Sequence, residues 1–305
     1  MSTSSVAPSA LPALSLIAMP GRRARTVDLA VEIERRGFPS VWCPSYGDPM
    51  ALCHAILGAT TTLVAATSIQ PIYLRHAVDL AQHAAFLHEV SGGRFLLGIG
   101  VSHGPALERL GVDSGKPLSD MRAYVSSMRA ATAGPLPPIV LATLRSKMVD
   151  LAHEIADGAV FANGSCSTIA TAVSAVSSER RSAGFTLGDM VPTVITDDLD
   201  AAKANVRKTL AGYVRLPNYR NYWRGCGYEE EMAAIEAALS GGRAADVGSL
   251  MSDRWLHDVT LIGSATVVRG GVERWIASGV TPILVPSAVS GGQFQAFDDV
   301  FAAFS

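Results

Sequence analysis

The chain has 305 residues, 49% of them hydrophobic and 17% charged, which supplies a sizeable buried core and argues against global disorder. Its formal net charge of -2 removes the electrostatic case for a nucleic-acid or anionic-membrane partner. Four scattered cysteines, Cys43, Cys53, Cys166 and Cys226, form no C-x-x-C pair, which argues against a disulfide framework or structural zinc and for a reducing, cytoplasmic setting.

The first dozen residues, rich in Ser, Ala and Pro, read as a loose tail. The arginines Arg22, Arg23 and Arg25 follow the first apolar segment, the reverse of a signal peptide, and read as a solvated surface. Residues 13–19 form an apolar run ended by Pro20-Gly21, a first strand. Thr26 is the expected N-cap of a helix to Gly37, with Val27, Ala30, Val31 and Ile33 as its buried stripe. A second strand covers 40–43. Asp48 then caps a helix over about 49–59 with Pro49 at its first position.

A third strand runs from Leu63 to Ile69, and a helix over 76–90 buries Ala77, Leu80, Ala81, Ala84 and Leu87 at i, i+3, i+4 spacing. The glycines of S-G-G-R close that helix. Strand four is 95–100, followed by a helical turn near 105–110 and a helix over about 119–132. Strand five is I-V-L-A at 139–142, with Ser146 near the start of a helix to Asp157. Strand six is 159–162, followed by one helix over about 166–182. Strand seven is 191–196. A helical and irregular insertion covers about 197–258, and a helix over 265–278 leads to strand eight, 282–285.

Eight apolar strands without polar alternation, separated by helical segments, fit parallel strands buried on both faces. Eight such units in about 290 residues favour a (β/α)8 TIM barrel over an open doubly wound sheet. With no linker visible, residues 13–305 read as one barrel domain. In a barrel the chemistry sits where the strands end. The groups there are Met19, Ser45-Tyr46, Ser68-Ile69, Ser102-His103, Thr143 to Ser146, Asn163-Gly164-Ser165 and Pro286-Ser287.

No carboxylate pair and no H-x-x-x-H or H-E-x-x-H spacing stands among them, so hydrolase and metalloenzyme chemistry is not expected. Gly98-x-Gly100-x-x-x-Gly104 imitates a dinucleotide fingerprint, but Asp120, at the required spacing, opens a helical segment instead of ending a strand. His103, directly after a strand, is a candidate proton donor, as is the Tyr46 hydroxyl. Thr143, Arg145 and Ser146 either cap a helix or bind an anion at its free N–H groups.

Three stretches carry a resemblance: T-S-I-Q-P-I-Y-L-R-H, A-A-F-L-H-E-V-S-G-G-R-F-L-L-G-I-G, and L-A-H-E-I-A-D-G-A-V. They are similar to the luciferase-like monooxygenase superfamily, in the flavour of its actinobacterial branch dependent on the deazaflavin coenzyme F420. The likeness covers roughly 13–196 and resumes near 261–275. It implies a TIM barrel with the cofactor ring in the face formed by the strand C-termini. It also implies a non-prolyl cis peptide at Ser68–Ile69 pressing behind the ring, and a phosphate loop at 142–146.

The chain departs from the family pattern at three places. Ser45-Tyr46 stands where relatives carry Asp-His, His103 where they carry an acid, and Ala77 where a proline is common. On this resemblance His103 and Tyr46 are the expected catalytic pair, with Ser68, Ile69, Ser102, Ala142, Thr143, Leu144, Arg145, Ser146, Asn163 and Gly164 holding the cofactor. Met19, Tyr222 and Trp223 are the expected substrate wall, the last two in an insertion that is a lid, extra packing over the barrel rim or a dimer contact.

The expected activity is hydride transfer between the C5 of coenzyme F420 and a small organic substrate, with reduction of a C=C or C=N bond foremost. FMN-dependent oxygenation and a non-catalytic cofactor-binding relative are the alternatives. A homodimer is expected, with no nucleic-acid, membrane or metal partner.

Overall fold

A computed structural model describes residues 11–132 and 134–305. The expected tail lies, up to residue 10, outside the described residues. The chain forms two compact units: the described part of Met1–Phe161 with Ala175–Gly188, and Ala162–Ser174 with Asp189–Ser305.

The first unit is a run of parallel strands, β1 (Ala13–Ser15), β2 (Ser40–Cys43), β3 (Val64–Thr67), the two-residue β4 (Gln70–Pro71), β5 (Phe95–Gly100), β6 (Ile139–Ala142) and β7 (Gly158–Ala162), whose last residue begins the second unit. Leu14 pairs with Val41, Val41 with Ala65, Ala65 with Phe95, Leu97 with Ile139, and Leu141 with Ala159. Neighbours on both faces are buried, which is why these strands carry unbroken apolar runs.

Two of its helices match the sequence expectation closely. Pro49–Ala59 begins at Asp48, whose Oδ1 accepts from the amides of Met50 and Ala51 at 3.0 and 3.2 Å. Ala77–Val90 buries the five expected residues Ala77, Leu80, Ala81, Ala84 and Leu87.

Other boundaries differ. The first strand is only Ala13–Ser15, because the chain leaves the sheet before Pro20-Gly21. Thr26 is not an N-cap. It lies buried inside the helix Arg23–Arg35, its hydroxyl donating to the Arg22 carbonyl at 3.0 Å, a bond inside the helix that a capping motif imitates in sequence. That helix buries Thr26, Ala30 and Ile33 and leaves Val31 41% exposed, so the stripe is one residue out of phase with the expected one.

Two polar clamps fix the N-terminal ends of these strands. Arg94, of the S-G-G-R-F motif, donates to the carbonyls of Leu57, Leu63 and Ser91 at 2.9–3.0 Å and to Thr60 Oγ1 at 3.2 Å. A guanidinium suits the C-terminal end of Pro49–Ala59, where carbonyls lack partners and the helix dipole is negative. Glu34 Oε1 accepts from the amides of Thr61, Thr62 and Leu63 at 2.6–2.9 Å, tying Arg23–Arg35 to the residues before β3.

The second unit holds most of β8 (Thr186–Ile195), β9 (Leu261–Gly263) and β10 (Thr281–Pro286). The parallel β8–β9 pair matches Thr193 with Leu261, and the Ser287 amide donates to the Thr193 carbonyl at 2.9 Å. β8 starts five residues before the expected strand, its early part disguised by Gly188 and Asp189. The single helix expected over 166–182 is two short ones, Ile169–Ala175 and Ser178–Ser182.

The insertion is helical: Leu199–Tyr213, Pro217–Gly225, Glu229–Ser240, the 3-10 segment Ala244–Leu250 and Asp253–Val259. It has an aromatic core of its own, with Trp223 and Trp255 fully buried and edge to face at 4.8 Å. In chain order β1, β2, β3, β5, β6, β7, β8 and β10 are the eight strands of a (β/α)8 TIM barrel. No helix among the described residues is long and apolar enough to cross a membrane.

Candidate active site

In the first unit the C-terminal ends of β3 and β5 meet almost without side chains between them. A Cβ on Gly98 would lie 1.9 Å from the Thr67 carbonyl oxygen. One on Gly100 would lie 2.8–3.0 Å from Ala142 Cβ and the Ile69 side chain. The glycines of F-L-L-G-I-G are therefore dictated by close approach, since nothing larger fits. Thr67 Oγ1 seals the contact by donating to the Gly98 carbonyl at 2.7 Å. The Ser68–Ile69 peptide is cis, at the position the resemblance implied. Ser68 is buried, its amide donating to the Cys43 carbonyl at 2.7 Å, and Ile69 is half-buried against Gly100.

β5 delivers Ser102 and His103 immediately beyond this contact. Ser102 is held at φ 62°, a left-handed conformation that side chains other than Gly and Asn rarely adopt. His103 is half-buried at the start of the short helix Gly104–Arg109, its carbonyl accepting from the amides of Ala106 and Leu107. Burial holds its imidazole below the ordinary value of 6.5, so the ring is mainly neutral at pH 7. Tyr46 is 66% exposed and Met19 50% exposed, so both are largely in solvent.

Residues 100–104, G-V-S-H-G, fit the G-x-S-x-G pattern of the serine-hydrolase elbow. The turn shares the elbow's positive φ at the serine. Among the described residues, however, no histidine accepts a hydrogen bond from Ser102 Oγ, and an elbow without a base has no activated nucleophile.

The loop after β6 carries a different chemistry. Thr143 is buried, its amide donating to the Val160 carbonyl at 2.8 Å, while its hydroxyl has no hydrogen-bond partner. Two residues on, Arg145 opens the helix Ser146–Ile155 without any side-chain cap, and Arg145 and Ser146 are exposed. Ala142 and Leu144 are half-buried between them. An unpartnered buried hydroxyl beside free helix N–H groups is a concave donor set of the kind that accepts a phosphate.

In the second unit the turn after β7 is Asn163-Gly164-Ser165. Asn163 is buried at φ 58°. Trp223 Nε1 donates to the Asn163 carbonyl at 3.1 Å, and the Ser165 amide donates to the Tyr222 hydroxyl at 3.0 Å. Asp258 collects the hydroxyls of Ser165, Ser167 (2.9 Å) and Tyr228 (2.8 Å), and the Ser167 amide at 2.8 Å.

The expected substrate wall is thereby corrected. Trp223 has no exposed surface to offer, and Tyr222 is a half-buried brace whose hydroxyl is already engaged. A group missed in the sequence is Asp189 of β8, 0% exposed, whose carboxylate accepts from the Gly164 amide at 3.1 and 3.2 Å. An acid flanked by Gly188 and Met190 reads as a loop residue, and only its position two residues before an apolar strand hinted at burial.

A parallel (β/α)8 barrel is a fold in which enzymes carry their chemistry in the loops that follow the strands. The chain belongs to the luciferase-like monooxygenase family, whose model matches residues 4–282. It is 26% identical over 309 residues to a protein of Mycobacterium tuberculosis (strain ATCC 25618 / H37Rv) provisionally named a coenzyme F420-dependent oxidoreductase, covering 85% of this chain and 89% of the relative. Among solved structures it superposes on the coenzyme F420-dependent tetrahydromethanopterin reductase of Methanopyrus kandleri with a TM-score of 0.75, at 17% identity over 95% and 97% of the two chains. It also superposes on the oxygenating constituent of 3,6-diketocamphane monooxygenase of Pseudomonas putida, in complex with FMN, with a TM-score of 0.60 at 18% identity over 96% of each chain.

Proposed function

We propose that the protein is a coenzyme F420-dependent oxidoreductase acting on a small organic substrate. The observation that carries this reading is the buried, unpartnered Thr143 hydroxyl beside the uncapped start of Ser146–Ile155. A hydroxyl desolvated without a partner is costly, and a phosphate oxygen would satisfy it. The mycobacterial relative and the Methanopyrus kandleri reductase support a deazaflavin over a flavin.

The residues present fit such a group. Thr143, Arg145 and Ser146 would hold the tail phosphate, with Ala142 and Leu144 as the floor of that loop. Gly100 lets the Ile69 side chain pack directly against β5, and Ile69 with Ser68 would stand behind the ring. Ser68 and Ser102 of the same unit belong to the expected cofactor set. When bound, the deazaflavin supplies two-electron hydride chemistry at its C5.

His103 does the proton work: as imidazolium it donates to a substrate being reduced, and as neutral imidazole it accepts from one being oxidised. Tyr46, largely in solvent, has only a secondary part. Reduction of a C=C or C=N bond is the reaction expected, and it draws on the imidazolium fraction, which burial makes the minor one at pH 7.

Equilibrium binding of coenzyme F420 and of FMN to the purified protein, followed by fluorescence, tests the reading. Binding of the deazaflavin at about micromolar Kd or tighter, with FMN at least tenfold weaker, is expected. Preference for FMN would replace the proposal with oxygen chemistry, to be measured as oxygen consumption with reduced FMN. Binding of neither would refute it.

A further inference from the structure

We propose that Asp189 is the positioning residue of the Asn163-Gly164-Ser165 turn, and that its ionised carboxylate, through the Gly164 amide, sets how well that turn receives the cofactor. The cofactor half of this statement rests on the function proposed above; the conformational half does not.

Besides the Asn163 amide on the Met190 carbonyl and the Ser165 hydroxyl on Asp258, three side chains distant in the chain grip the turn's backbone, and they differ in kind. Trp223 Nε1 grips the Asn163 carbonyl and the Tyr222 hydroxyl receives the Ser165 amide, both bonds between neutral groups. The third is the Asp189 carboxylate, with both oxygens on the one Gly164 amide. The contact is tight: a Cβ on Gly164 would lie 3.1–3.3 Å from the carboxyl group, so the turn cannot shift without moving Asp189. Asn163 stands next in the chain at φ 58°, a left-handed conformation that asparagine adopts readily. The sequence N-G-S permits the turn, but the carboxylate behind it selects one geometry.

Asp189 is fully buried and makes no ion pair with a cation among the described residues. The ionisable groups facing it are Tyr219 and Tyr222 of Pro217–Gly225 and Cys166 just beyond the turn. Burial holds all three above their ordinary values, so they are uncharged at neutral pH. Desolvation therefore pushes the Asp189 carboxyl up to about 7, with the Gly164 amide pulling the other way. That opposition fixes the sign of the coupling. Since the Gly164 bond favours the ionised form, the ionised form favours the turn, and protonation loosens it.

The indole N–H of Trp223 reports on the turn without any cofactor, because it is bonded to Asn163. We would follow the four tryptophan indole resonances of the 15N-labelled free protein from about pH 5.5 to about pH 8.5, assigned by replacing each tryptophan with Phe in turn. The Trp223 resonance is expected to titrate with a midpoint of about 7 and to lose that titration in Asp189→Asn. A flat Trp223 resonance, or an unchanged titration in the variant, overturns the proposal.

Should the variant not fold, the 13C-carboxyl resonances of aspartates in the wild type decide. One that moves in step with Trp223 supports the proposal, and none titrating within about one unit of neutrality overturns it. In a second arm, coenzyme F420 affinity is expected to weaken about three- to tenfold below the midpoint in the wild type and to be flat in the variant. No binding at any pH would count against the cofactor reading alone and leave the indole titration to decide the role of Asp189. Binding with the same pH dependence in both proteins would overturn the role.

Discussion

His103 shows how one residue's surroundings set the direction of its chemistry. Its place after β5 puts it where barrels do their work, and its half-burial lowers its pKa by desolvation. The sign follows. Substrate reduction needs the imidazolium, so its rate falls as pH rises through a value below 6.5, whereas the reverse oxidation rises over the same range. Replacing His103 by Ala is expected to slow turnover by ~10²–10⁴ and to flatten that limb of the pH–rate profile. An unchanged profile in the variant would remove His103 from the mechanism. Tyr46→Phe is expected to change the rate less than about threefold, because a ring 66% exposed has no desolvated hydroxyl to direct.

Elements are joined by a few charged side chains that sequence patterns do not single out. Glu34 sits on Arg23–Arg35, yet its carboxylate serves three amides of residues 61–63. Burial pushes its carboxyl up, but those amides outweigh it and hold it at about 2 against an ordinary 4.5. A lowered folded-state pKa means a stabilising contribution present above about 4.5 and lost as pH falls towards about 2. Glu34→Gln is therefore expected to cost about 1–2 kcal/mol in urea unfolding at neutral pH, with the gap to wild type closing in acid. Equal stability at neutral pH would show that the amides find water as good a partner. Arg94 makes the same point about S-G-G-R-F: its arginine caps helix carbonyls at the strand's beginning, while the motif's chemistry lies at the strand's end.

At the scale of the molecule, the insertion takes the packing alternative among those its sequence left open. It buries Trp223 and Trp255 completely, and its Tyr228 and Asp258 bond to each other and, through Asp258, to Ser165 and Ser167. A segment so built is part of the core, and removing it would strand Ser165, Ser167 and the Asn163 carbonyl without partners. A chain lacking residues 217–258 is expected to lose its near-ultraviolet circular dichroism and cooperative thermal unfolding. A truncated protein that still unfolds cooperatively near the wild-type Tm would show that the insertion is a detachable lid.

The barrel's strands were legible in the residues themselves, because apolar runs such as Ile139–Ala142 and Phe95–Gly100 are local signals. So were the start of Pro49–Ala59 at Asp48 and the buried stripe of Ala77–Val90, since caps and 3.6-residue periodicity act within one element. What depends on partners distant in the chain became visible in the folded molecule alone. Thr26 was a cap by pattern and an interior helix residue in fact. Trp223, whose sequence left wall, lid and packing open, is a buried brace. Asp189 was invisible because its significance lies entirely in the amide of Gly164, 25 residues away, and in the absence of water around both. Burial and long-range hydrogen bonding set a group's charge and its freedom, and neither is written in the residues beside it.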